Sequence, residues 1–303
     1  MNVELGFGVP NYLPGERARE LVEIAVRAEE AGYASLWLQD RVTVNRVDTF
    51  TLLAAIAQAT RRARLGTSVL LLPLRHPVHV AKAVATLDVL SGGRIILGVG
   101  IGSRADECAA VGVPFKQRAS RAEEAVTVIR RIWTEERIAH QGRHYQVQDV
   151  VIGPKPVQKP GPPIWMGGSA DRALDRVGRL GDGYMRGGPG KFGFPEAWAK
   201  VKAAAEKAGR NSAELARSAL AYTVVDEDRE RAARRCEEFL QGFYGRVIVD
   251  VRRELVVGTT EDCVRRIREY VDAGVQVPVI VPASTDPEDL DRVLALPRAV
   301  AAA

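Results

Sequence analysis

The sequence predicts an α/β protein folded as a (β/α)8 TIM barrel. Eight short apolar runs alternate with amphipathic segments along most of the chain. Several runs, such as Ser68-Val69-Leu70-Leu71-Leu72 and Ile95-Ile96-Leu97-Gly98-Val99, are almost wholly apolar. Strands of that kind are covered on both faces, as a parallel sheet requires, and eight βα units point to a closed barrel rather than an open doubly wound sheet. A length of 303 residues suits one barrel of ~250 residues with insertions, so the chain reads as a single domain over 1–303.

The expected strands are Val3 to Val9, Ser35 to Leu38, Leu65 to Leu72, Arg94 to Val99, Pro163 to Gly167, Gly183 to Met185, Ala219 to Val225 and Val277 to Val281. Helices are expected over Glu16 to Ala31, Thr49 to Thr60, Val78 to Leu90, Ser120 to Trp133, Pro195 to Ala208, Arg229 to Leu240 and Thr260 to Ala273. In the first, Leu21, Ile24, Ala25, Ala28 and Ala31 recur at helical spacing, with Arg17, Glu20, Arg27 and Glu30 on the other side. The alternation breaks at His140 to Pro163, where glycines and prolines predict an inserted hairpin or extended loop before strand five. After strand six, Gly187 to Gly193 reads as a lid over the barrel mouth or as a plain spacer.

Composition narrows the function. A formal net charge of +5 is small for this length and basic residues are interspersed with acids, so the charges read as solvated helix faces, not a nucleic-acid surface. Cys108, Cys236 and Cys263 are scattered, without zinc or disulfide spacing, and read as structural thiols in a reducing compartment. The start, Met1 into Val3-Glu4-Leu5-Gly6-Phe7, lacks the layout of a secretory signal, and no apolar stretch is long enough to span a membrane. Cytoplasmic residence is the expectation.

In such a barrel the active site is built just past the carboxyl ends of the strands. Strand two runs into Gln39-Asp40-Arg41, where Asp40 either bonds a polar edge of a ligand or closes the loop as an ion pair. Strand four runs into Gly98-Val99-Gly100-Ile101-Gly102-Ser103 and strand five into Met166-Gly167-Gly168-Ser169-Ala170-Asp171. Glycine-rich turns of this kind let backbone N–H groups approach a flat ring or a phosphate, with a helix N-terminus behind them. Neither matches a dinucleotide fingerprint. His76 and His79 flank a helix entry and His140 and His144 sit in the insertion, so surface or capping roles are expected and no metal. Without a GxSxG elbow, strand lysine or acid–base cluster, the hard chemistry falls to a cofactor. Tyr12, Trp37, His76, Tyr184, Phe192 and Phe194 lie near strand ends, as pocket lining or as packing.

The chain resembles the luciferase-like family of flavin-dependent monooxygenases and deazaflavin-dependent oxidoreductases. The resemblance rests on the order and spacing of Leu5-Gly6-Phe7, Glu29 to Trp37, Leu65 to Val69, Arg75-His76-Pro77, Leu90 to Arg94, Gly98-Val99-Gly100, Gly153 to Gln158 and Leu180 to Tyr184. It implies the eight-stranded barrel, a homodimer and F420 as cofactor, with FMN as the alternative. It further implies a non-prolyl cis peptide at Ser68-Val69 whose bulge supports the ring system, Asp40 near the ring's polar edge, Gly167, Gly168, Ser169 and Ala170 around the ribityl and phosphate, and Ile101 and Gly102 as a further cofactor-contacting turn. The sugar-phosphate dehydrogenases of the deazaflavin branch carry a histidine where Arg41 stands and a glutamate where Ser103 stands, which argues against that activity. Arg41 cannot act as a base at neutral pH and is read as orienting an anionic substrate or polarising a carbonyl, leaving Asp40 and Arg41 as the catalytic candidates. Asp182, though part of a family motif, reads as a structural turn.

Three functions follow as expectations. The first is hydride transfer between F420 and a small organic substrate; the second is an FMN-dependent monooxygenase using O2, and a separate reductase supplying reduced cofactor is the expected partner. The third is a cofactor-binding protein that does not turn over, and a cofactor-free barrel lyase or isomerase stands beyond these.

Overall fold

The computed structural model describes residues 3–43, 46–188, 192–244, 250–284 and 286–303. Eight parallel strands close on themselves: β1 (Gly6–Gly8), β2 (Ser35–Leu38), β3 (Arg64–Thr67), β4 (Ile95–Gly100), β5 (Ile164–Gly167), β6 (Gly183–Arg186), β7 (Ala216–Val225) and β8 (Val277–Pro282). β8 returns to β1 through Gly6 opposite Val279, so the sheet is a closed (β/α)8 barrel. All eight expected strands are present, with bounds shifted by a few residues.

Alternation along the strands explains why these runs are apolar throughout. In β2, Leu36 and Leu38 join the layer under the helices, while Trp37 joins Ile96, Trp165, Met185, Tyr222 and Val279 in a second cluster that fills the barrel. Trp37 stands 5.2 Å from Trp165, centroid to centroid, and bonds Ser35 Oγ through its indole N–H. A Cβ on Gly66 would come within 2.4 Å of its ring and one on Gly6 within 2.7 Å. Trp37 is therefore the barrel's filling and not pocket lining.

One expected strand is interrupted. The run Leu65 to Leu72 breaks after Thr67, resumes as the short strand Leu70–Leu71, and passes into a 3-10 turn at Leu72–Leu74. Gly66 faces Ile96 and Leu70 faces Val99, so four steps on one side match three on the other. This is a bulge of one residue, the Ser68–Val69 peptide within it is cis, and bulges re-aim side chains. Two glycines of β4 seat it: a Cβ on Gly98 would lie 1.8 Å from the Thr67 carbonyl oxygen, and one on Gly100 would lie 2.5 Å from Val69 Cγ2. Read from sequence as part of a ligand-facing turn, Gly98 and Gly100 serve instead to admit the neighbouring strand.

The insertion before β5 is a hairpin, Arg137–Gln141 with Gln146–Val151, followed by a proline-rich stretch. Gln158 ties that stretch to the barrel through the buried carboxylate of Asp88 and the Ile95 carbonyl. A further short strand, Val256–Gly258, adds to the far end of β7, and helices at Ala105–Ala110, Asp171–Leu180, Val251–Glu254, Pro287–Leu294 and Leu296–Ala302 complete the outer layer beside the expected ones. Among the described residues no helix is long and apolar enough to cross a membrane.

Gly98→Ala is expected to lower the urea-unfolding stability by ~3 kcal/mol or more, because backbone must move to admit the methyl. Gly242→Ala, where a Cβ meets nothing within 4 Å, is the control and should change it by less than ~1 kcal/mol.

Candidate functional site

The bulge and its neighbours open a cavity of about 290 Å³ at the carboxyl end of the barrel. Gln39, Asp40 and Arg41 reach it from the end of β2, Ser68, Val69 and Leu71 from the bulge, and Gly102, Ser103 and Arg104 from the end of β4. Gly187 and Gly188 follow β6, and Leu220, Phe243 and Tyr244 complete the wall with Arg46 and Glu107. Another cavity, of about 800 Å³, lies at the opposite end, where Arg64, Pro163, Asp182 and Ala216 mark strand starts. Size favours it, but barrel chemistry is built where strands end.

Asp40 is buried at 5% exposure with both carboxylate oxygens engaged. Arg75 donates to Oδ2 at 2.6 Å and to Oδ1 at 2.9 Å, the Leu71 N–H donates to Oδ2 at 2.9 Å, and Thr49 donates to Oδ1 at 3.2 Å. The ion pair foreseen for this loop thus exists, with Arg75 as partner and not the adjacent Arg41. It fastens the bulge to the end of β2. Arg41 turns to Glu107, which is buried and accepts from Arg41 Nε at 2.8 Å and from the Val42 N–H at 3.1 Å.

Three polar atoms in the wall have no partner among the described residues: Ser68 Oγ, Gln39 Oε1 and Arg46 Nη1 are buried and unbonded. Unsatisfied buried polar groups are rare and costly, and in a cavity wall they mark where a ligand's own donors or acceptors belong. Gln39 Nε2 meets Tyr222 Oη at 3.3 Å, and Tyr222 Oη meets Tyr244 Oη at 2.5 Å. Burial raises the Tyr222 hydroxyl well above its ordinary pKa, so it stays protonated at neutral pH.

Of the residues expected around a cofactor, Asp40, Ser68, Val69 and Gly102 line this cavity, and Ile101 does not. Gly167, Gly168, Ser169 and Ala170 lie outside it, beyond Val69, whose Cγ1 would be 3.3 Å from a Cβ on Gly167. They lead into the Asp171–Leu180 helix, whose N-cap Ala170 provides no side-chain cap. Gly187 and Gly188 of the expected lid line the cavity, while its residues 189–191 lie outside the described residues. Tyr184, Phe194 and Tyr12 pack: Tyr184 stacks on Phe194 and donates to the Gly168 carbonyl, and Tyr12 donates to the carbonyls of Pro282 and Ser284. Phe192 is buried and His76 caps the helix Pro77–Ser91. Asp182 holds Arg130 and the Ile164 N–H at the amino end, a structural role. Among the described residues no His, Cys, Asp or Glu group is arranged to hold a metal ion.

Glu107, Arg46 and the adjacent Phe243 and Tyr244 were not singled out from sequence as site residues, since they come from three separate βα units and only closure of the barrel assembles them.

Residues 5–277 match the family model for luciferase-like monooxygenases. The chain belongs to that family. It is accordingly an oxidoreductase. An F420-dependent glucose-6-phosphate dehydrogenase of Amycolatopsis mediterranei is 30% identical over 288 residues, covering 84% of this chain and 86% of the relative. Among solved structures, an F420-dependent secondary alcohol dehydrogenase in complex with an F420-acetone adduct superposes with a TM-score of 0.86 at 21% identity over 99% of both chains. A monooxygenase from Streptomyces bottropensis superposes at 0.82 with 23% identity over 97% of each chain. These two structural likenesses establish the shared barrel.

A double-mutant cycle between Asp40→Asn and Arg75→Ala should give a coupling of ~1.5 kcal/mol or more in urea-unfolding stability, as a buried bidentate pair requires. Strictly additive effects would mean that the pair does not hold the bulge.

Proposed function

We propose that the protein transfers a hydride between F420 and a small organic substrate in the cavity at the carboxyl end of the barrel. The observation that carries the reading is the bulge itself, which presents the apolar Val69 beside an unbonded Ser68 hydroxyl, with the unbonded Gln39 carbonyl across the same wall. A flat heterocycle with polar edges needs both kinds of surface. The cofactor's naming in the Amycolatopsis mediterranei relative supports the choice of F420 over FMN. Bound F420 supplies or accepts the hydride.

The chain's own residues bind and orient. Val69, Leu71 and Leu220 give the ring apolar contacts, Ser68 and Gln39 offer hydrogen bonds to its edge, and the Gly167–Ala170 turn with the helix behind it receives the phosphate end. Asp40 acts through the backbone, by holding Leu71 and hence the bulge, rather than as a ligand to the ring. Glu107 fixes the Arg41 guanidinium at the cavity, where it orients a substrate or polarises a carbonyl. The Tyr244 hydroxyl, bonded to Tyr222 in the wall and kept protonated by burial, offers the substrate a hydrogen bond. Holding both reactants in one small cavity supplies most of the acceleration.

Titration of the purified protein with F420 and with FMN, followed by absorbance and fluorescence, tests the reading. Selective F420 binding is expected; selective FMN binding, or binding of neither, contradicts it. With a substrate found by panel, Arg41→Ala should lower kcat/KM by ~10-fold or more while F420 affinity stays within about twofold. Unchanged kinetics would remove Arg41 from the reaction.

A further inference from the structure

The cations at the barrel mouth are not equivalent. Arg41 is paired with Glu107, Arg75 with Asp40 and Arg104 with Asp106. Arg46 lines the same cavity and, among the described residues, has no carboxylate partner; its Nη1 is shut off from solvent without an acceptor. Its guanidinium carbon lies 4.6 Å from the centroid of the Phe243 ring. That ring belongs to an aromatic wall with Phe239 at 5.5 Å, Tyr244 at 4.7 Å, Tyr222 at 6.2 Å and Tyr12 at 6.4 Å. Burial foremost, and then repulsion from Arg41, depress the pKa of Arg46, while the groups favouring its charge are tyrosine hydroxyls.

A partly desolvated guanidinium without a counter-charge is a costly arrangement that an incoming anion relieves. The guanidinium's planar fork matches a carboxylate through two parallel hydrogen bonds. The same cavity offers Phe243, Leu220 and Val69 as apolar surface.

We propose that Arg46 anchors the substrate by a carboxylate, with the substrate's apolar body lying along Phe243. This deepens, and rests on, the assignment of the mouth cavity to substrate and cofactor. It makes the substrates organic acids with an apolar or aromatic portion, and Arg46 a specificity-determining residue separate from Arg41.

Phenylacetate and phenylacetamide, which differ in charge and little in shape, are the probes, titrated calorimetrically into the full-length protein without cofactor. Phenylacetate is expected to bind at least ~10-fold more tightly, the range of a charged hydrogen bond. Arg46→Ala should abolish that preference and Arg46→Lys should retain part of it, both variants folding with a urea midpoint no lower than the wild type's. Equal or undetectable binding of the two probes by the wild type, or a preference that survives in Arg46→Ala, overturns the proposal. Inorganic phosphate binding as tightly as phenylacetate overturns the carboxylate class. If the wild type binds no F420, the hydride-transfer reading fails by itself, and the probe result still decides the role of Arg46.

Discussion

The mouth of this barrel depends on one extra residue between Thr67 and Leu70. A parallel ladder leaves no slack, because each pairing fixes the next. The bulge needs room on one side and a tether on the other. Gly98 and Gly100 give the room, since a side chain at either would strike Thr67 or Val69. Asp40 is the tether, taking the Leu71 N–H with one oxygen while Arg75 grips both. With those held, Ser68 and Val69 have nowhere to go but the cavity wall.

Electrostatics then differentiate the mouth. Asp40 and Glu107 are both buried and both paired with arginines, Asp40 through both of its oxygens and Glu107 through Oε1. A buried carboxylate that is well paired contributes shape more than net stability. What remains for ligands is a set of neutral donors and acceptors together with positive charge from Arg41 and Arg46. Such a site selects by orientation and charge, and leaves bond-making to the group it holds.

The barrel was legible because its strands are apolar on both faces and its helices are amphipathic, signals that are local and periodic. The bulge was legible only through the family resemblance, which implied the cis Ser68–Val69 step: by composition Leu65 to Leu72 reads as one strand, and nothing in it marks a break that depends on glycines some thirty residues away. Elements such as Ala105–Ala110 and Val256–Gly258 escaped notice because they are too short to show a period. At the site, Asp40, Arg41 and Gly102 were found by looking past strand ends, and Ser68 and Val69, inside an expected strand, through the family resemblance. Their partners were not, since Arg75 and Glu107 are separated from them by 35 and 66 residues and are joined only by folding. Trp37 reads as pocket lining or as packing because sequence cannot say which face of a closed sheet points inward.

The central claim is that the wall formed by the bulge holds the cofactor. Hydrogen–deuterium exchange with and without F420 tests it most directly. The account predicts that F420 slows exchange at the amides of 68–71, 100–104 and 167–171 and leaves 159–163 and 210–216 unaffected. Protection at the latter segments, around the larger cavity at the opposite end of the barrel, or no protection near the bulge, would contradict it.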